Sequence, residues 1–93
     1  MKFDWDPTKN KKNIKKHGVD FEEAKTVFQD EMALELYDEE NSGDEDRYII
    51  IGLSSKSREL TVCHCYRNGD DITRIFSARR ATKTEAILYE GRL

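Results

Sequence analysis

Arg79-Arg80 follows the strand-like segment Ile72 to Ala78 and leads into Ala81-Thr82. These side chains are suited to gripping a phosphate. Guanidinium groups hold it by two parallel N–H bonds, and the helix start at Thr82 adds partial positive charge. Upstream, His64 sits within a strand-like run. Imidazole takes or gives a proton near neutral pH, so a histidine near arginines is a candidate for acid–base work. Each has a structural alternative. Arg79 and Arg80 could pair with the acidic stretch 38–46, and His64 could be a half-buried, hydrogen-bonded residue. A second basic feature lies at the other end of the chain. Lys9, Lys11, Lys12, Lys15 and Lys16 precede His17-Gly18, where a solvated helix face is the simpler reading and His17 favours the dipole of a last turn.

The net charge of −3 conceals a segregation. Residues 1–19 carry +4, residues 20–46 carry −11, and residues 47–93 carry +4. The overall acidity therefore says little about partners; what matters is whether the two basic thirds meet in space. Cys63 and Cys65 are the two cysteines. Two apart on one strand, they are poorly placed to bond to each other, and Cys-His-Cys lacks zinc-site spacing. No metal or cofactor is expected. No apolar run approaches a membrane span and no signal peptide is evident, which points to the cytoplasm and away from a membrane.

The elements that must position these residues are short. With 93 residues, 37% of them hydrophobic and 38% charged, the chain has material for one domain over 1–93 with a thin core. Phe3 and Trp5 alternate with charged neighbours over Lys2 to Trp5, a first strand. Asp6-Pro7 starts a helix that runs to about Lys16 and stops at Gly18. Asp20 caps a second helix carrying Phe21, Ala24, Val27 and Phe28. Strands follow at Met32 to Tyr37 and at Arg47 to Leu53, the latter central because Ile49, Ile50 and Ile51 are consecutive. Two more flank the Asn68-Gly69 hairpin signal, at Glu59 to Arg67 and Ile72 to Ala78. Thr82 with Glu85 forms a capping box for a last helix.

A two- or four-residue hairpin loop puts Leu60, Val62, His64 and Tyr66 on one face with Thr73, Ile75, Ser77 and Arg79. Cys63, Cys65, Arg67, Ile72, Arg74, Phe76 and Ala78 then share the other. A three-residue loop instead places His64 across from Arg74. Both faces are mixed, so the pattern does not say which is the core.

Taken together, Phe3-x-Trp5-Asp6-Pro7-x-Lys9, Asn13-x-x-Lys16-His17-Gly18-Val19-x-Phe21-Glu22, Glu45-x-Arg47-Tyr48, Val62-x-His64 and Ile75-Phe76-Ser77-Ala78-Arg79-Arg80-Ala81-Thr82-x-x-Glu85 resemble the BrnT toxins. The resemblance spans almost the whole chain in order. It implies an α+β, RelE-like fold of order β-α-α-β-β-β-β-α, mainly antiparallel with helices on one face. It implies a ribonuclease toxin of a type II toxin–antitoxin pair that inhibits translation. The implied partners are RNA and a BrnA-like antitoxin, with DNA engaged only indirectly through the antitoxin. The family's basic site residues fall on Arg67, Arg79 and Arg80, with His64 nearby, as a catalytic set. Where the family often has an acid this chain has Tyr66; if that acid accepts a proton, His64, Tyr66 or a lysine must replace it. Lys9, Lys12, Lys16, Arg47, Arg74 and Lys83 are expected to bind the RNA. The competing reading is a non-catalytic module that binds RNA or the antitoxin through the same basic rim.

Overall fold

Asn68 and Gly69 both adopt positive φ, 55° and 62°, and turn the chain back on itself. A computed structural model describes residues 1–93. The elements are β1 (Lys2–Asp4), α1 (Pro7–His17), α2 (Phe21–Ala24), β2 (Leu34–Tyr37), β3 (Arg47–Leu53), β4 (Glu59–Arg67), β5 (Ile72–Arg80) and α3 (Lys83–Glu90). α2 runs on into a tighter 3-10 turn at Lys25–Gln29. One sheet of five strands has the order β1-β5-β4-β3-β2. β1 lies parallel to β5, and every other pairing is antiparallel. The element order is the expected one.

The β4–β5 hairpin pairs Arg67 with Ile72, leaving a four-residue loop. The expected faces hold from there as far as His64 opposite Ile75. The next pair is Cys63 with Ser77, so Phe76 is an extra residue in β5. This bulge exchanges the faces of everything that follows. Ala78 turns inward beside Val62, while Ser77 and Arg79 turn outward beside Cys63 and Thr61.

The inner face carries the main core. Ile50, Leu60, Val62, Ile75 and Ala78 pack against Val19, Phe21, Ala24 and Val27 from the α1–α2 corner, α2 and the 3-10 turn. Phe3 and Trp5 anchor β1 there, Phe3 tilted on Phe28 and Trp5 edge-on to Phe21. Helices on this face are as expected; α3 goes to the other. Its Glu85 accepts a hydrogen bond from the outward Thr61 hydroxyl, and its buried Tyr89 donates to Asp30. The outer face is thus covered at its β3 end and open towards β5.

Caps fix the helix ends. Asp6 accepts from the Thr8 amide with Pro7 in the first turn, and Gly18 at φ 69° closes α1 with its N–H on the Ile14 carbonyl. Thr82 and Glu85 form the reciprocal box on α3. α1 has almost no apolar stripe; Ile14 is exposed. What docks this helix is a polar residue. Buried Asn13 donates to the carbonyls of Val19 and Ala78 and accepts from the Ala78 amide. Its amide group pairs with the β5 edge as a neighbouring strand would. No helix is long and apolar enough to cross a membrane.

Candidate functional site

Because Asn13 ties α1 to the β5 edge, the basic face of that helix overhangs the open part of the outer face. Lys9, Lys12, Lys16 and His17 line a cavity of about 230 Å³ with Asn13, Phe76 and Ser77. Arg47 reaches the same place from β3: its guanidinium carbon lies 4.0 Å from the centre of the Phe76 ring, and the Lys9 ammonium lies 5.3 Å from it. The two basic thirds of the chain therefore meet at one aromatic ring.

Further along β5 the floor continues through Ser77 and Cys63 to Arg79 and Thr61. Arg79 stands two residues beyond Ser77, about 7 Å along the strand. Glu85 accepts two bonds from its guanidinium, at 2.7 and 3.0 Å. This pairing first, with the Thr82 and Thr61 bonds and against the opposing effect of burial, brings the Glu85 carboxyl down to about 2. The Cys63 thiol is pushed up by burial and by Asp38, against the pull of Arg47.

The remaining expected residues distribute themselves around this floor. Arg74 is on the outer face but bonded to Asp4 of β1. Arg67, at the far end of β4, makes two bonds to Glu45 of the acidic turn, which hold that carboxyl below its usual range. Lys83 is exposed in the first turn of α3. Arg80 pairs with Leu60 and so points to the inner side, away from Arg79. The two adjacent arginines cannot share one phosphate from opposite faces of a strand.

His64 is also on the inner side and has no exposed surface. Its Nδ1 contacts the Val62 carbonyl, and its Nε2 lies 3.2 Å from Glu35 and 3.3 Å from the Tyr66 oxygen. Phe28 packs edge-on against its ring and Tyr48 stacks on it. Burial first, and then Glu35, hold the Tyr66 phenol far above its usual range. The sheet stands between this cluster and Arg79. No group of three or more His, Cys, Asp or Glu side chains is arranged to hold a metal ion.

A family model described as the ribonuclease toxin BrnT of type II toxin–antitoxin systems matches residues 5–85. The chain belongs to the BrnT family. Its fold is similar to the crystal structure of the ribonuclease toxin BrnT of Brucella abortus, with 25% sequence identity and a TM-score of 0.66. That likeness covers 89% of this chain and 99% of the Brucella chain. No curated protein sequence matches it.

In this BrnT chain three residues of the groove escape a reading by residue type. Phe76 reads as a strand aromatic, Glu85 as a cap, and His17 as a helix-end residue. Glu85 is a cap and also holds Arg79, since one carboxylate oxygen accepts from the Thr82 amide, the Thr61 hydroxyl and Arg79. The only forward signal was the offset of Glu85, three residues beyond Thr82 and six beyond Arg79.

Proposed function

We propose that this chain cuts RNA without a metal ion in the groove between α1 and the outer face of β5, and that it does so as a translation-inhibiting toxin in the cytoplasm. The observation that carries this reading is the meeting of the α1 lysines, Arg47 and Arg79 along one open strand. Such a line of cations attracts a sugar-phosphate chain and supplies, from side chains, the positive charge that a bound metal otherwise brings.

Cleavage requires a base to take the 2′-hydroxyl proton, cations to hold the five-coordinate phosphorane, and a proton for the departing 5′-oxygen. Arg79, aimed by two bonds to Glu85, serves as a fixed donor to the phosphorane; its orientation is set before reaction, which is where electrostatic catalysis gains most. His64 is walled off from the groove, so the proton transfer is assigned to His17, the histidine that lines it. Lys9, Lys12 and Lys16 hold flanking phosphates. Arg67, Arg74, Arg80 and Lys83 lie on the periphery and contribute charge.

A BrnA-like antitoxin would silence the toxin by covering the basic rim and the nearby sheet edge. The second reading, a module that binds RNA or antitoxin without cutting, is favoured by the burial of His64.

The test is RNA cleavage by the purified chain, with and without ribosomes and with a chelator present. Wild type should cut, the chelator should not matter, and Arg79→Ala should lose about 10²–10³ in rate, about 3–4 kcal/mol. RNA binding without cleavage in every condition would establish the second reading instead.

A further inference from the structure

We propose that Arg47, held against Phe76, is a second guanidinium, besides Arg79, that binds the RNA phosphodiester directly; this rests on the RNA-cleaving reading of the groove. Four arginines point to the outer face: Arg47, Arg67, Arg74 and Arg79. Three of them spend donors on carboxylates. Arg67 makes two bonds to Glu45, Arg79 makes two to Glu85, and Arg74 is bonded to Asp4. Arg47 is the exception. Its Nε stands 4.0 Å from Glu45, a loose ion pair that takes up no hydrogen-bond donor, and its side chain is 33% exposed.

A guanidinium over an aromatic face keeps its edge N–H groups available, since the ring engages only the flat side. The contact contributes about 0.5–2 kcal/mol and restricts the rotamers. Phe76 therefore does for Arg47 what Glu85 does for Arg79, but without neutralising it. The bulge places the ring there, and Lys9 approaches the same ring from α1. Lys12 and Lys16 stand beside it. Two cations on one aromatic ring, with two more lysines beside them, repel each other until an anion arrives between them, so the arrangement favours an occupant with at least one full negative charge. Arg47 thus contacts substrate, and Phe76 is its positioning residue.

The experiment measures binding of a labelled, mixed-sequence single-stranded RNA whose 2′-hydroxyls are methylated, so that it is bound and not cut. Affinity is followed against salt concentration for the full chain. Arg47→Gln should weaken binding and lower the salt slope by about 0.7, the loss of one phosphate contact on a single strand. Phe76→Leu should also weaken binding, and Phe76→Tyr should restore it. Lys56→Gln, the same charge change in the β3–β4 loop, should leave the slope unchanged. Thermal melting of each variant excludes a folding defect as the cause. A wild-type slope and affinity in Arg47→Gln, with wild-type protein binding RNA, overturns this assignment alone. Failure of the wild-type protein to bind or cut any RNA overturns the reading of the groove itself.

Discussion

Replacing Glu85 by Gln removes one charge and keeps the size and one acceptor oxygen. In the native chain that carboxylate receives two bonds from Arg79, one from the Thr61 hydroxyl and one from the Thr82 amide. Its carboxyl falls from 4.5 to about 2. At about 1.4 kcal/mol per tenfold change this drop corresponds to about 3 kcal/mol. The Arg79 side chain is 39% exposed and Glu85 16%, so solvent screening reduces the expected loss to about 1–2 kcal/mol. Because the folded value lies below the unfolded one, the contribution is complete above pH 4.5 and disappears as pH falls towards 2. Urea unfolding of both proteins at neutral pH and at about pH 2 tests the reasoning. The gap between wild type and Glu85→Gln should be about 1–2 kcal/mol at neutral pH and close to zero in acid. A gap of equal size at both would mean that the ion pair is not its source. RNA cleavage should also fall in this variant although the chain becomes more positive, because Arg79 loses its aim; unchanged cleavage would refute the positioning role.

Three further outcomes follow from the fold. Asn13→Ala leaves the amide and carbonyl of Ala78 without their side-chain partner and should cost about 2–3 kcal/mol in urea unfolding, with a parallel loss of RNA affinity as α1 drifts from the groove. Glu23→Gln breaks a nearly buried ion pair with Arg58 and disturbs the bond from Ser54; an unfolding loss of about 3 kcal/mol is expected, and an unchanged midpoint would contradict it. Gly18→Ala meets no atom but must hold φ at 69°, so melting should show a loss of about 1 kcal/mol from backbone strain alone.

Much of the fold is legible because its signals are local. Asp6-Pro7, Gly18, Asn68-Gly69 and the Thr82–Glu85 box each act within a few residues, and each forms as expected. Alternation locates the strands, although β2 starts at Leu34 rather than Met32 and β5 continues to Arg80. The second helix is cut short into a 3-10 turn, a boundary its apolar spacing does not mark.

What is not legible depends on contacts far apart in sequence. Asn13 and Ala78 are 65 residues apart, and nothing in the residue type of an asparagine announces that it will mimic a strand. The site suffers most from this. Alternation alone puts His64 and Arg79 on one face, and it is a single extra residue between them that separates the two. The lysines of α1 read by residue type alone as a solvated face, although Lys9, Lys12 and Lys16 are expected to bind RNA, and they become the wall of a groove because of where that helix is tied.

The bulge at Phe76 behaves like a frameshift in space. Upstream and downstream halves of β5 obey opposite parity, so each half presents the right chemistry to the right side only while the strand keeps its count. Excising one residue at that point would carry Ala78 out to water and swing Arg79 in among Val62 and Phe21. Variation in this family should therefore come as exchanges of one side chain for another along β5, with insertions and deletions diverted to the turns at either end.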